Sequence, residues 1–174
     1  METFKAFAMR KSSRGFKPGQ QIPDEALEKI LDAGCIAPVG MGAYDKMHLA
    51  VVRDSALIEK LSDEAKAISG RSGGPGVFYD APTIIVISSE ELRLQNIIYA
   101  NGSCVATQML LAATDLGIGN IFIWAANALS GTEIAAEIGI PEGYIPVATV
   151  ALGYPIKESD EERPFERKIK ISRR

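Results

Sequence analysis

Leu92-Arg-Leu-Gln-Asn-Ile-Ile-Tyr-Ala-Asn-Gly-Ser-Cys-Val-Ala-Thr-Gln-Met-Leu-Leu-Ala-Ala-Thr-Asp-Leu116 is the stretch that decides the fold. It is long for a globular helix, and between Cys104 and Ala113 it is apolar nearly all round. A helix of that kind has to be covered on every side. In a chain of 174 residues that makes it a central core helix, with a partner chain as one possible source of cover.

The flanking segments read as shorter elements. Glu2–Met9 forms a short helix with Phe4, Phe7 and Ala8 on one side. Asp24 and Glu25 open a second helix, in which Leu27, Ile30, Leu31 and Gly34 recur at helical spacing, and Pro38 and Gly40 end it. Strands are expected at Met47–Arg53, Thr83–Ser88, Ile118–Trp124 and Ile145–Leu152, the second rich in β-branched residues. Helices are expected over Ala56–Ser69 and Thr132–Ile138, and Gly70–Gly76 reads as a mobile loop or lid. Helices and strands mix without a strict βαβ rhythm, which fits an α/β sandwich built on a mixed sheet.

Composition removes several classes of function. With 47% hydrophobic and 24% charged residues, the chain is an ordinary globular one. Two cysteines, Cys35 and Cys104, and one histidine, His48, supply neither a disulfide framework nor a common zinc ligand set. No metal site is expected. No apolar run approaches the roughly 18 residues of a membrane span, and residues 1–20 lack a signal-peptide core, so a cytoplasmic protein is the expectation. The net charge of −3 argues against a nucleic-acid partner. Its distribution says more. Residues 1–18 hold five bases against one acid, and residues 155–174 hold seven against five, leaving an acidic middle. Two readings follow: solvated ends, or two basic ends that converge on one bound anion.

Arg10-Lys-Ser-Ser-Arg14 gives the second reading its chemistry. On extended backbone Arg10, Ser12 and Arg14 point the same way. Two guanidinium forks and a hydroxyl suit a phosphate; an exposed basic loop is the alternative. Gly117-Ile-Gly119 is no dinucleotide fingerprint, because it follows a helix and precedes a strand; its glycines end the helix and turn the chain. Gly70–Gly76 lacks the ending of a P-loop. His48 lies in a strand pattern and reads as packed, the cysteines read as core, and Trp124 reads either as core or as the mouth of a site. No acid–base machinery is evident and no catalytic side chain is assigned. An enzyme of this kind lets a cofactor perform the chemistry.

These segments resemble the FMN-dependent nitroreductases. The resemblance rests on Arg10-Lys-Ser-Ser-Arg14-Gly-Phe16, Ile22-Pro-Asp-Glu-Ala-Leu27 through Ala37-Pro38, Asp80-Ala-Pro82, Leu110 through Gly119, Ile140-Pro-Glu-Gly143-Tyr, Leu152-Gly-Tyr-Pro155 and Arg163-Pro, in that order. It implies an α+β fold, a three-layer α/β/α sandwich with a mixed, mostly antiparallel sheet, in an intertwined homodimer. Residues 1–174 would form one FMN-binding domain, with 155–174 as a C-terminal arm over the partner subunit. By position it implies that Arg10, Ser12, Arg14 and Arg163 hold the FMN phosphate and ribityl chain. Trp124 and Ala125 would turn backbone N–H groups toward the flavin, and Pro38, Val39 and Gly40 of the other subunit would pack on its dimethylbenzene edge. The activity implied is hydride transfer from NADH or NADPH through FMN to a small organic acceptor such as a nitroaromatic or quinone. The alternative is an FMN-binding storage or sensor protein with little turnover. One run departs from the family pattern. In place of a Ser, an Asn and a Gln-Pro-Trp-like sequence stands Val39-Gly-Met-Gly42-Ala-Tyr44-Asp45-Lys46, so the polar contacts of those residues are absent or replaced.

Overall fold

In the computed structural model, which describes residues 2–69, 76–124, 129–157 and 161–174, two strands carry the molecule. They are β2, Thr83–Glu90, and β4, Tyr144–Gly153. They pair antiparallel at the centre of the sheet, and Ile84 through Ile87 and Val147 through Leu152 are buried on both faces. Strand β1, Met47–Val52, pairs with β2, and β3, Gly119–Ile123, pairs with β4, giving the order β1-β2-β4-β3. All three pairings are antiparallel. The parallel component of the expected mixed sheet comes down to one bridge, Ser12 to Asn120.

Helices cover both faces. The first layer holds α2, Asp24–Cys35, and α4, Gln95–Asp115, which encloses a core of Ile30, Ile85, Ile98, Met109, Val147 and Val150. The second holds α3, Ser55–Ser69, and α5, Glu133–Glu137, over Leu61, Ile84, Val86, Leu129, Ile134 and Ala151. Each of the larger aliphatic side chains among these contributes about 1.5–3 kcal/mol on burial. The short α1, Thr3–Met9, packs against α4.

Helix α4 is central as expected, but its own chain does not cover all of it. Asn101, Val105, Ala106, Met109 and Ala113 are buried. Asn96, Ala100 and Thr107 stay exposed, with Cys104 and Leu111 partly covered. The hydroxyls near this stripe turn back on the helix: Ser103 donates to Tyr99 O at 2.8 Å and Thr107 to Ser103 O at 2.7 Å. These two hydroxyls therefore make little demand on water.

The helix ends where its sequence says. Gly117 has φ +72°, its N–H donates to Thr114 O, and the Ile118 N–H reaches back to Ala113 O at 2.8 Å. That is a Schellman cap, which a left-handed glycine permits. Nothing lies within 4 Å of a Cβ added at Gly117, so Gly117→Ala tests the backbone alone. A loss of about 1 kcal/mol in urea unfolding is expected.

Other expectations shift in detail. On α1 it is Ala6 and Ala8 that are buried, while Phe4 and Phe7 are 72% and 42% exposed. The two rings pack edge-on with each other, and Phe4 with Phe165 near the C-terminus, instead of entering the core. Cys35, read as core, is exposed at the last position of α2. The mobile-loop expectation for Gly70–Gly76 lies, apart from Gly76, outside the described residues.

Candidate functional site

Backbone from Arg10 to Gly15 leaves α1 in an extended conformation and runs beside the start of β3. Ser12 bridges Asn120 in parallel register, and the Ser13 N–H donates to Asn120 O at 2.9 Å. This fixes the segment against the edge of the sheet. On one side of it lies a cavity of about 310 Å³, lined by Lys11, Ser13, Thr114, Asn120 and Tyr154 among others. A second, of about 390 Å³, is lined by Ser12, Arg14, Gly15, Ile156 and Lys157. Gly119 is small for a reason. A Cβ there would stand 3.0 Å from the backbone O of Gly153 and 3.0 Å from Ser13 Oγ.

The two basic ends converge. The Arg163 N–H donates to Ala8 O at 3.1 Å, and its guanidinium reaches Phe7 O at 3.4 Å, at the C-terminal end of α1. Carbonyls at a helix C-terminus favour a cation. Arg163 thereby stands close enough to Arg10 to act on it. Burial first, and the positive charge of Arg163 second, hold the Arg10 guanidinium below its ordinary pKa. Placing two like charges together and partly desolvating one is unfavourable unless an anion compensates. Among the described residues no ion pair joins either arginine to a carboxylate.

Trp124 follows the last residue of β3, four residues beyond Asn120, or about 13 Å at strand spacing. It is 53% exposed and flanked by the rings of Tyr99 and Phe122, with centroids at 5.6 and 6.5 Å. The indole is thus at a surface and is not core. Ala125 lies outside the described residues. Pro38 is exposed and Val39 is buried, and Gly40 lies against α4. Of the sequence-selected residues, Ser12 and Arg14 line one cavity beside the start of β3, and Arg10 and Arg163 meet at the C-terminal end of α1. Trp124 stands at the other end of β3, and Pro38–Gly40 form a separate loop.

His48 belongs to none of these. It lies on β1, the opposite edge of the sheet from β3, with its ring edge-on to Tyr144 and Nδ1 3.5 Å from Ser88 Oγ. Burial lowers its pKa. Among the described residues no group of three or more His, Cys, Asp or Glu side chains is arranged to hold a metal, and no helix is long and apolar enough to cross a membrane.

The sequence pattern of the Nitroreductase family matches residues 7–154. This chain is a member of the nitroreductase family. A relative from Archaeoglobus fulgidus, provisionally named NADH dehydrogenase/NAD(P)H nitroreductase, is 31% identical over 91% of this chain and 88% of its own length. Among solved structures, a nitroreductase with bound FMN from Bacteroides fragilis superposes with a TM-score of 0.85 at 27% identity, covering 99% of this chain and 100% of that one. A second nitroreductase with bound FMN, from Desulfitobacterium hafniense, gives 0.84 at 29% identity over 99% and 100%. Arg163 lies beyond the stretch that matches the nitroreductase family, so its place beside Arg10 is evidence from the fold itself.

Sequence reasoning missed Asn120 and Lys11, which line the first of the two cavities beside the Arg10–Gly15 segment. Asn120 falls in the expected strand Ile118–Trp124, with no role of its own. Its signal was a polar residue entering an otherwise apolar strand.

Proposed function

We propose that this chain is an FMN-dependent oxidoreductase that takes hydride from NADH or NADPH and delivers it to a small organic acceptor. The observation that carries the reading is the pairing of Arg10 with Arg163 beside the Ser12–Asn120 bridge. The donor set fits FMN: guanidinium and hydroxyl groups at one end of β3 suit a terminal phosphate, and an exposed aromatic stands a strand's length away. The relatives support it by name, and two structural neighbours carry FMN.

In this reading Arg10, Ser12, Arg14 and Arg163 hold the phosphate and ribityl chain. Trp124 and Ala125 offer backbone N–H groups to the ring, where fixed donors stabilise negative charge without reorganising. Bound FMN supplies the hydride chemistry. The stripe of α4 that its own chain leaves uncovered seats a second copy of the chain, and Pro38, Val39 and Gly40 of that copy close the flavin's far edge. Residues 1–174 then act as one FMN-binding unit with 155–174 as an arm over the partner.

The purified protein is expected to be yellow, or to take up FMN stoichiometrically in preference to FAD, since nothing in the chain matches an adenine-binding half. An absorbance spectrum with an FMN titration checks this, and a colourless protein that FMN leaves unchanged overturns it. A storage or sensor role draws on one observation. Lys46, in the run that departs from the family pattern, spends its charge on Glu90 at 2.8 Å. Anaerobic mixing with NADH and NADPH separates the two readings, because only an enzyme bleaches the flavin rapidly.

A further inference from the structure

Among the described residues Asn101 is the one strongly polar side chain on the buried face of α4, 2% exposed among Ile97, Ile98 and Val105. A buried amide in such surroundings is costly unless its hydrogen bonds are made. Its partner is a backbone 61 residues away. The Gly40 N–H donates to Asn101 Oδ1 at 2.7 Å, and Nδ2 faces Gly40 O at 3.5 Å, the outer limit of a hydrogen bond. The short contact fixes the amide's orientation, since an N–H cannot donate to an NH₂ group. The fit is close. A Cβ on Gly40 would lie 2.8 Å from Ile97 Cδ1 and 3.1 Å from Asn101 Oδ1.

This clamp acts on a loop that would otherwise have little reason to hold its shape. Met41 has φ +63° while 65% exposed, a left-handed conformation that side chains rarely adopt. Such strain persists only where the surroundings over-determine it. Here they do so at three points: Val39 and Ala43 are buried on either side, and Gly40 is tied to α4 between them. Pro38 and Met41 are left facing outward.

We propose that Asn101 is a positioning residue that sets the Pro38–Gly42 loop in its ligand-facing shape before the flavin arrives. In the run where the family's polar residues are missing, an amide from α4 supplies the fixing contact in their place. The inference rests on the reading above that residues 38–40 pack on a flavin edge. Preorganisation of this kind raises affinity by removing an ordering cost.

The test compares Asn101→Leu and Asn101→Asp with the unaltered protein, reading FMN and riboflavin affinities and hydrogen exchange at the Gly40 amide. Asn101→Leu should lose Gly40 protection and weaken FMN and riboflavin alike by about 10-fold, because the loop addresses the ring and not the phosphate. Asn101→Asp is informative through pH. Either form accepts from Gly40 N–H through one oxygen. The second oxygen of an ionised carboxylate would face Gly40 O and repel it, whereas that of the protonated acid donates to Gly40 O as the amide does. Its flavin affinity should therefore approach that of the unaltered protein, measured at the same pH, as pH falls through the carboxyl's titration. That rescue also decides the matter if Asn101→Leu fails to fold. Unchanged flavin affinity in Asn101→Leu with Gly40 protection lost overturns the positioning role alone. So does an Asn101→Asp defect that does not change with pH. An unaltered protein that binds neither flavin overturns the reading beneath it as well.

Discussion

Arg10→Ala and Arg163→Ala are expected each to weaken FMN while leaving riboflavin nearly untouched. Riboflavin has the same ring and ribityl chain but no phosphate, so it isolates the contribution of the cradle. A hydrogen bond to a charged group is worth about 1.5–3 kcal/mol, which corresponds to roughly 10- to 150-fold in affinity. Arg10, partly buried, belongs toward the upper end of that range. Arg163 is exposed on the C-terminal segment and belongs toward the lower end, where solvent screens the interaction. The losses should also shrink as ionic strength rises, more for Arg163 than for Arg10. Since the two charges act on each other, the double variant should depart from additivity. Isothermal titration with both flavins on all three variants checks the pattern. Equal losses for FMN and riboflavin would show that the substitutions damage the fold, and the convergence of the two ends would then have no bearing on a phosphate.

The charge distribution offered that convergence as one of two readings, and the contact of Arg163 with the end of α1 is what distinguishes it from two solvated ends. The regular elements were legible for local reasons. Gly117 marks the end of α4 by its left-handed cap, and the buried run Thr83–Ile87 marks a central strand by its β-branched side chains. What sequence did not show depends on partners distant in the chain. Phe4 and Phe7 satisfy a helical stripe, yet α1 is seven residues long and turns its small residues Ala6 and Ala8 inward. A close approach to α4 accounts for that choice, and periodicity does not encode it. Tyr79 and Asp80 both have positive φ, at +57° and +63°, ahead of Ala81-Pro82. Neither residue type signals that conformation as glycine does. Asn101 carried a signal that could have been read, a lone amide on an apolar helical face, but its meaning required Gly40 to be known as its neighbour.

Added FMN is expected to drive this chain from monomer toward dimer, and dilution is expected to release flavin. The argument starts from α4. A single chain leaves Asn96, Ala100 and Thr107 exposed on its longest helix, with Cys104 and Leu111 partly covered, and the hydroxyls there are already spent on the helix backbone. In the proposed reading a second copy covers this stripe and lends its Pro38–Gly40 loop to the flavin. Each flavin then touches two subunits, and a ligand that binds only the dimer stabilises it by mass action. At a hundredfold excess over the dissociation constant that amounts to about 2.7 kcal/mol per site. Gly40→Val separates the helix's contribution from the loop's. Its side chain would collide with Ile97 and Asn101 of its own chain, displacing the loop while leaving the exposed stripe of α4 intact. The variant should therefore bind FMN more weakly yet dimerise without FMN to the same extent as the unaltered protein, because the helix and not the loop supplies most of the interface. Analytical ultracentrifugation followed at the flavin wavelength, with and without FMN, reads both quantities in one experiment. A monomer that binds FMN as tightly as the dimer would remove the partner's loop from the site. Pro38, Val39 and Gly40 would then need a different role, while the arginine cradle, built within one chain, would stand unaffected.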